Sequence, residues 1–475
     1  MMNFNFLPLR RSSMNRLRNI LFPCCLTAVV VVFFYCCNNS KSDDLGPPHD
    51  PGKPVECESF YPTVGGMASQ VILIGKNFGN EPKAIEVLFN DKPAPVIGCS
   101  NERILVVTPR RPGEECTISV KIGNSPAKVF PQKYQYEIRA VVSTIVGKKG
   151  TNEIIEGSFA DAQFRNPCYI TIDSLNNLFI VEQDNGHRVL MASLDEMYVR
   201  TLVECGNKPN APSTDITGKL IVVPADGGGA AWNEVYWEFN SDDGYTSKSR
   251  IITHPTPTEI ANGEKNDFTL QSYKHSFAIC AYDSMVYYRS NQNGAVIRFN
   301  PYTREGERAL AYDTGEEIWC RQGVNGDGFL VNDPYEPSKM YVSLSGGGGN
   351  HSVILYFDVV TGENGIFAGA EGNGLRDWRD GPLLEARFAV PKQAVLDNDG
   401  NMLIADSEND CIRQINLKTK MVSTLVGIPG KRDLIDGNKD DACFNRPWGL
   451  AVDRSDGTVY ICDKENKVIR MLTIE

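Results

Sequence analysis

Short apolar runs recur along this chain from about residue 70 to its C-terminal end, and polar turn residues separate them. Typical runs are residues 71–74, 178–181 and 402–405, and Gly, Asn and Asp are concentrated between such runs. Runs of this length between turn residues are typical of β-strands, whereas no long segment shows the period of an amphipathic helix. The pattern therefore predicts an all-β protein.

One arrangement of Gly, Phe, Pro and Asp occurs three times with the same spacing. The copies are Gly157, Phe164, Pro167 and Asp173; Gly381, Phe388, Pro391 and Asp397; and Gly437, Phe444, Pro447 and Asp453. The last two Phe residues are 56 positions apart, and the first two are 224 positions apart, which is four steps of 56. A fixed period of this length indicates one supersecondary unit used repeatedly. Three diverged units fit in the gap, so six are expected in all.

The sixth unit stops before its outer strand. In the fifth unit that strand is residues 422–427, which begin Val-Ser-Thr, and the same opening occurs at residues 142–147, ahead of the first unit. A ring of sheets has to close, because an unpaired edge strand invites aggregation. We therefore predict that residues 142–147 pair with the last unit, and that residues 141–475 form a six-bladed β-propeller closed by this N-terminal strand.

The clear units resemble the NHL repeat. Residues 397–401 match its D-x-x-G-N turn, residues 404–406 its I-A-D strand end, and residues 412–413 its I-R pair. The resemblance implies that each unit is a propeller blade. The three middle units are recognised only by strand residues, at 219–223 and 234–239, at 277–283, 286–288 and 296–299, and at 340–343 and 353–357.

Residues 55–137 are expected to form a separate domain. Short strands between turn residues, such as residues 71–74, 104–107 and 117–122, predict a small β-sandwich. The Gly-Lys-Asn-Phe-Gly turn at residues 75–79 and the later Thr-Pro at residues 108–109 resemble the IPT/TIG immunoglobulin-like domain. That resemblance implies a spacer without a catalytic site of its own.

The first 54 residues have the features of an export segment and a linker. Four Arg residues precede an apolar run at residues 20–35 that is shorter than a typical membrane span, so residues 1–36 are predicted to be a signal peptide. An uncleaved membrane anchor is the alternative. Residues 37–54 are polar and rich in Pro, and we expect a disordered linker there.

A cysteine where the apolar run stops resembles the lipobox of bacterial lipoproteins. The resemblance implies acylation of Cys37, or of Cys36, and therefore a lipid anchor in the membrane. The Lys-Ser-Asp-Asp run at residues 41–44 resembles the signal that sends certain lipoproteins to the outer face of the outer membrane. The expected location is the outer membrane, facing the cell exterior.

The charge of the chain argues against nucleic acid as a partner. Its 48 basic and 59 acidic residues give a net charge of −11, and an acidic surface repels phosphate backbones. No C-x-x-C motif is present, so a structural zinc site is not predicted. No cofactor is expected.

The repeated acids Glu182, Asp406 and Asp463 are the first candidates for catalysis. They occur at the same position of each clear unit, and a role that recurs in every unit is structural, such as bonding the backbone of a turn. An enzyme is therefore not predicted. The alternative is a metal-dependent lyase or hydrolase in the propeller channel, because zinc-dependent propeller lyases resemble this chain in using three histidines, here His187, His275 and His351.

Tryptophans are the candidates for ligand binding. Trp448 stands where the other clear units have Cys168 and Lys392, so the repeat does not require it. Trp378, Trp319 and Trp232 also lie in turn-rich sequence, where an exposed ring can stack on a sugar. The alternative is that these rings fill gaps between blades.

An Ig-like spacer followed by a propeller on a lipid anchor resembles the accessory glycan-binding proteins that work beside TonB-dependent importers. The resemblance implies binding of an oligosaccharide or polysaccharide, with the importer and its surface lipoprotein as further partners. A protein-interaction scaffold that binds no glycan remains the other alternative.

Overall fold

A computed structural model describes residues 46–474, apart from residues 111, 114, 184–185, 226–234, 254–257, 259–261, 263–274, 290–295, 311–326, 347–350 and 371–376. The predicted signal peptide, Cys36 and Cys37 lie outside the described residues. Two compact units are present, and the division falls between Glu137 and Ile138. No helix in the described part of the chain is long and apolar enough to cross a membrane.

The protein is all-β, as predicted. Short 3-10 turns occur at Pro82–Ala84, Ser241–Asp243 and Ser407–Asn409.

The first unit is a sandwich of two sheets. The sheet orders are β1-β3-β7-β6 and β2-β9-β8-β4-β5, where the strands are β1 (Glu56–Tyr61), β2 (Val64–Gly65), β3 (Gln70–Lys76), β4 (Ile85–Phe89), β5 (Lys92–Ala94), β6 (Val96–Ser100), β7 (Arg103–Val107), β8 (Glu115–Ile122) and β9 (Lys128–Tyr136). Alternate residues of β3 and β8 are buried, which is the pattern of strands with one face on a core. Edge-to-face contacts join Phe60 to Phe130 and Phe89 to Tyr134 in this core.

Part of the expected linker is ordered against the sandwich. Asn77, in the Gly-Lys-Asn-Phe-Gly turn, has a φ of 62°. Its side-chain amide donates hydrogen bonds to the carbonyls of Asp50 and Lys53 and accepts one from the Asp50 amide. The prediction of disorder is therefore wrong for residues 50–53, because a buried Asn supplies the hydrogen bonds that a polar segment otherwise takes from water.

The second unit is a β-propeller, and its described residues form six sheets that we number I to VI along the chain. The sheet orders are given from the innermost strand outward. Sheet I is β12-β13-β14-β15-β11, sheet II β16-β17-β18-β19, sheet III β20-β21-β22-β23, sheet IV β24-β25-β26-β27, sheet V β29-β30-β31-β32-β28 and sheet VI β34-β35-β36-β10-β33.

These strands have the following bounds: β10 (Ala140–Gly147), β11 (Gly157–Ser158), β12 (Pro167–Ile172), β13 (Asn177–Glu182), β14 (Arg188–Ser193), β15 (Tyr198–Glu204), β16 (Ser213–Thr214), β17 (Leu220–Pro224), β18 (Val235–Asn240), β19 (Lys248–Ile251), β20 (Ala278–Ile279), β21 (Val286–Arg289), β22 (Val296–Phe299), β23 (Gly306–Leu310), β24 (Asp327–Asn332), β25 (Lys339–Gly346), β26 (His351–Asp358), β27 (Asn364–Ala368), β28 (Gly381–Pro382), β29 (Pro391–Leu396), β30 (Asn401–Asp406), β31 (Cys411–Asn416), β32 (Met421–Val426), β33 (Gly437–Asn438), β34 (Pro447–Val452), β35 (Val459–Asp463) and β36 (Val468–Ile474).

The innermost strands contact one another in a cycle. Strand β12 touches β16, β16 touches β20, and the series continues through β24, β29 and β34 back to β12. Apolar side chains fill the space between neighbouring sheets, as where Phe388 and Ile404 of sheet V meet Ile354 of sheet IV. The innermost strand of each sheet therefore lines the axis of the ring.

The predicted closing strand is confirmed. Strand β10 is antiparallel to β36, with Val142 opposite Leu472 and Ser143 opposite Met471. The Asp436 carboxylate also accepts hydrogen bonds from the Thr144 amide, at 3.0 Å, and from its hydroxyl, at 2.9 Å. The first strand of the unit thus completes the last sheet.

The repeated acids and arginines of the NHL pattern form buried ion pairs in sheets V and VI. Arg413 and Arg470 are fully buried, and their guanidinium groups lie 2.9 Å from Asp406 and 2.8 Å from Asp463. Each arginine also bonds two backbone carbonyls and a second Asp, and its guanidinium lies 5.0 Å from the ring of the repeat Phe. The arginine of the I-R pair therefore has a structural role, because it contacts the turn, the strands and the Phe of one sheet.

Sheet I lacks the arginine of this buried ion pair. Glu182 faces Arg188 across the strand pair, as Asp406 faces Cys411, so Leu190 stands where Arg413 stands in sheet V. The Glu182 carboxylate accepts hydrogen bonds from two backbone amides, those of Arg165 and Asn166. All three repeated acids thus bond backbone groups.

Candidate functional site

The ring has two ends, which we call the entrance and the exit. The entrance is the side on which the innermost strands begin, and the exit is the side on which they end. The sequence predictions concern the entrance, because Trp448 is the second residue of β34, just as Lys392 is of β29 and Cys168 is of β12.

Trp448 lies in a cluster on the ring axis. Its ring stacks on Tyr169 with a centroid distance of 5.6 Å, and Tyr169 in turn lies 5.1 Å from Phe329 of sheet IV. The ammonium groups of Lys392 and Lys464 each lie 4.5 Å from the centroid of the indole ring. Trp448 is half-buried, so these contacts hold one orientation of a ring that still meets solvent.

Lys392 and Asp327 form an ion pair beside this ring. The Lys392 ammonium lies 2.5 Å from Oδ2 of Asp327, and Nδ1 of His275 lies 3.4 Å from Oδ1. The Lys392 side chain is only 5% exposed, whereas that of Asp327 is 39% exposed. We use the name entrance cluster for Trp448, Lys392, Asp327, His275 and Tyr169.

The charges around Asp327 keep its carboxyl ionised. Burial on its own would raise the pKa of Asp327, but the positive charges of Lys392 and His275 outweigh it, so the pKa lies below its ordinary value of 3.8. The entrance cluster therefore has a solvent-exposed carboxylate beside an aromatic ring. This carboxylate can accept hydrogen bonds from the hydroxyl groups of a ligand.

The sequence alone did not identify Lys392, Asp327 or Tyr169 as site residues. The signal that was available for Lys392 is its repeat position, since a Lys at the second place of an innermost strand has no role in the blade pattern. Asp327 carries no such signal, because it begins the innermost strand of a diverged unit. Its pairing with Lys392 becomes visible only when sheets IV and V are placed side by side.

The other predicted tryptophans are not in the entrance cluster. Trp378 is 43% exposed, and its Nε1 donates a hydrogen bond of 2.8 Å to the Thr424 hydroxyl on β32, the fourth strand of sheet V counted from the axis. Trp232 and Trp319 lie outside the described residues. Trp237 is buried in the core.

The three histidines of the metal alternative have different surroundings. His275 belongs to the entrance cluster, whereas the His187 carbonyl accepts a hydrogen bond from the Cys205 amide at the outer edge of sheet I. The side chain of His351 lies outside the described residues. Where side chains are described, no group of three or more His, Cys, Asp or Glu could hold a metal ion.

The cysteines at apolar strand positions are buried thiols. Cys411 and Cys462 are fully buried and free of disulfides, and burial raises the pKa of both thiols well above its ordinary value. Neither thiol is therefore a nucleophile.

Gln393 closes part of the ring axis between entrance and exit. The side-chain amide of Gln393 donates to the Ile170 carbonyl at 2.9 Å and accepts from the amides of Ile170 and Leu450 at 3.3 Å, so it joins sheets V, I and VI. Gly449 allows β34 to touch β12, since a Cβ there would lie 2.8 Å from the Cys168 carbonyl oxygen. The two ends of the ring are thus separate surfaces.

A cavity of about 810 Å³ lies on the exit side of this closure, away from the entrance cluster. Residues at the ends of all six innermost strands line it, together with the turns that follow them.

Two families match parts of the chain. The IPT/TIG domain matches residues 54–138, and the NHL repeat matches residues 444–470. NHL repeat-containing protein 2 from Bos taurus is 33% identical over 97 residues, which are 20% of this chain and 13% of the relative. Its Homo sapiens counterpart is 29% identical over 327 residues, 67% of this chain and 40% of the relative. The chain thus spans less than half the length of these relatives.

Solved structures from Bacteroides species share the fold. A Bacteroides thetaiotaomicron protein of unknown function is 24% identical, with a TM-score of 0.68, and the match covers 90% of this chain and 100% of that one. An auxiliary nutrient binding protein from Bacteroides ovatus is 21% identical, with a TM-score of 0.58 and coverage of 90% and 100%. A second auxiliary nutrient binding protein, from Bacteroides thetaiotaomicron, is 20% identical, with a TM-score of 0.57 and coverage of 90% and 99%.

Proposed function

We propose that this protein, which carries an IPT/TIG domain and NHL repeats on a β-propeller, is a non-enzymatic accessory protein that captures a nutrient glycan at the entrance of the propeller. The observation that carries the proposal is the entrance cluster. At one repeat position the clear units have Cys168, Lys392 and Trp448, and two of these differing side chains, Lys392 and Trp448, meet beside an ionised Asp327. Function is expected where the copies of a repeat differ, because the shared residues maintain the blade.

The chemistry of the entrance cluster fits a sugar. An aromatic ring contacts the apolar face of a sugar ring, and charged or amide side chains bond the hydroxyl groups around it. Lys392 and Asp327 hold each other in place, so little side-chain freedom is lost when a ligand binds. Two solved structures of this fold belong to proteins described as auxiliary nutrient binding proteins, which supports a role in nutrient capture.

The remaining parts of the proposal come from the sequence. A lipid on Cys37 or Cys36 would anchor the chain in the outer membrane, facing the cell exterior, and the IPT/TIG domain would serve as a spacer. The expected partners are a TonB-dependent importer and its surface lipoprotein, to which the captured oligosaccharide or polysaccharide passes. Trp378, at the outer part of sheet V, is a further contact for a polysaccharide long enough to cross the propeller.

The proposal is tested by affinity electrophoresis of the purified protein in gels containing a panel of polysaccharides. Trp448→Ala is expected to weaken retention about tenfold, which corresponds to about 1.4 kcal/mol of binding free energy. Asp327→Asn keeps the shape of the side chain and is expected to weaken retention as well, because the amide is a poorer acceptor than the carboxylate.

Tyr198→Ala is the matched control, since Tyr198 is 47% exposed on the outer strand β15 of sheet I, away from the axis. Circular dichroism of each variant checks that the fold is retained. Retention on no polysaccharide of the panel, or equal retention of the wild type and both entrance variants, would contradict the proposal.

A further inference from the structure

The exit cavity has the size and position of a ligand site of its own. Small-molecule sites in proteins have volumes of about 300–1,000 Å³, and the exit cavity, at about 810 Å³, falls within that range. Gln393 separates it from the entrance cluster. A ligand in the exit cavity would therefore touch none of the residues on which the proposed function depends.

The wall of the exit cavity differs from side to side. On sheets I and II it has hydroxyl groups, and those of Thr171 and Thr214 lie 2.7 Å apart. On sheets III to V the strands contribute the half-buried aliphatic residues Ile279, Val331 and Val395, and Asn332 is a half-buried polar residue among them. A ligand with one polar edge and one apolar face matches this division.

The rim of the exit cavity combines constant and variable positions of the repeat. In five of the six sheets the turn after the innermost strand begins with an Asp whose Oδ1 accepts a backbone hydrogen bond, namely Asp173, Asp215, Asp333, Asp397 and Asp453. The residue after that Asp lines the cavity and is different in each sheet: Ser174, Ile216, Pro334, Asn398 and Arg454. The constant Asp fixes the turn, so the variable neighbour is free to serve recognition.

Tyr335 provides an aromatic surface at this rim. It is 54% exposed, its hydroxyl donates a hydrogen bond of 3.0 Å to the Asp397 carbonyl, and its ring lies over Gly400 of the neighbouring sheet. A ring held at its hydroxyl end while half its surface meets solvent is prepared for stacking. Tyr335 occurs in a diverged unit, where the D-x-x-G-N pattern is absent.

The charge of the lining disfavours an anionic ligand. Three acids, Asp173, Asp215 and Asp453, line the exit cavity, against one base, Arg454. The chain as a whole also carries a net charge of −11, which disfavours anions at its surface.

We propose that the exit cavity is a second binding site, which takes a neutral sugar ring or the end of a neutral oligosaccharide. The apolar face of the sugar stacks on Tyr335, and its hydroxyl groups bond the Thr and Ser hydroxyls of sheets I and II. This site is independent of the entrance cluster, so that a glycan chain can be held at either end of the propeller.

The probes are glucose, galactose, mannose and their neutral disaccharides, measured by saturation-transfer NMR and titration calorimetry with the full-length protein. Tyr335→Ala is expected to weaken binding at least fivefold, because the stacking surface is lost. Ser455→Trp places a large side chain at an exposed position of the rim and is expected to abolish binding by blocking the cavity. Tyr302→Ala is the matched control, since Tyr302 is 81% exposed and does not line the cavity.

The outcomes separate this site from the entrance cluster. Loss of sugar binding in Tyr335→Ala and Ser455→Trp, with binding retained in Trp448→Ala and Tyr302→Ala, is the expected result. Loss in Trp448→Ala with full binding in both exit variants would overturn the exit site and leave the proposed function standing. Binding of none of these sugars would also overturn the exit site, whatever the polysaccharide gels show for the entrance.

Discussion

A buried arginine stabilises each of the repeat units that form sheets V and VI. Arg413 is fully buried and bonds Asp406, Asp380 and two backbone carbonyls. Removing one partner of a buried ion pair leaves the other charge without compensation, and this typically costs about 3–5 kcal/mol.

Arg413→Ala is therefore expected to lower the free energy of unfolding by about 3–5 kcal/mol. All five tryptophans follow residue 231, so tryptophan fluorescence during denaturant unfolding reports on the propeller. Arg379→Ala is the control, because that side chain is 53% exposed and its ion pair with Glu385 should contribute little. A loss below about 1 kcal/mol in Arg413→Ala would show that the buried pair is not needed.

The Asp327 carboxylate gives the propeller a dependence on pH. Its pKa is lowered in the folded state by Lys392 and His275, against the effect of burial. A lowered pKa means that the ionised form contributes stability above the ordinary value of 3.8, and that this contribution is lost as the pH falls through the folded value.

We expect Asp327→Asn to destabilise the propeller at pH 7, where the nearly buried Lys392 loses its partner, and we expect this effect to diminish as the pH falls below the ordinary pKa of 3.8. Denaturant unfolding followed by tryptophan fluorescence between pH 7 and about pH 2.5 measures this difference. Asp242→Asn serves for comparison, because that side chain is 67% exposed in its pair with Lys219. A difference that stays constant with pH would contradict the ion-pair explanation.

At the scale of elements, the closing strand β10 supports the whole ring. Val142 is 1% exposed and belongs to the core between sheets V and VI, whereas its neighbour Val141 is 43% exposed. Side chains alternate between the two faces of a strand, so substitutions at these two neighbours compare a buried and an exposed position of the same strand.

Val142→Asp is expected to destabilise the propeller by more than about 3 kcal/mol, because it buries a carboxylate without a partner. Val141→Asp should change the unfolding free energy by less than about 0.5 kcal/mol. Denaturant unfolding measures both. Equal effects of the two substitutions would mean that β10 is not held in the register described here.

The elements that repeat could be predicted from the sequence, whereas those that diverge were located less closely. The closing strand was found because residues 142–144 repeat the Val-Ser-Thr of residues 422–424, and both threonines bond the Asp of an Asp-Gly pair. In each of these pairs the Gly has a φ near +140°, which explains why Gly recurs there. The order of residues 50–53 was missed, because it depends on one buried side chain, Asn77, rather than on a pattern.

At the scale of the whole molecule, the candidate sites were harder to predict than the fold. Trp448 was found because it departs from its repeat. Asp327 and Tyr335 were not found, because each lies in a diverged unit and its role depends on a neighbour in another sheet. A contact between sheets leaves no local signal in one sequence, whereas a turn or a strand does.

The two ends of the propeller present different side chains to a ligand. The entrance carries ion pairs around an indole ring, and the exit has hydroxyl and aliphatic walls with a tyrosine at its rim. Substitutions at the two ends should therefore have additive effects on binding, as expected for distant sites without shared partners.

The bond between Thr144 and Asp436 also determines when the propeller can finish folding. Its partners are 292 positions apart, so the ring cannot close until the last strands of the chain have been synthesised. Contacts over such long sequence separations slow folding and leave intermediates with open strand edges. A chain cut short before β36 would keep five complete sheets, but β10 would lack its partner β36, and that edge would be exposed to proteases and to other chains. The closing strand thus makes completeness of the polypeptide a condition for a stable propeller.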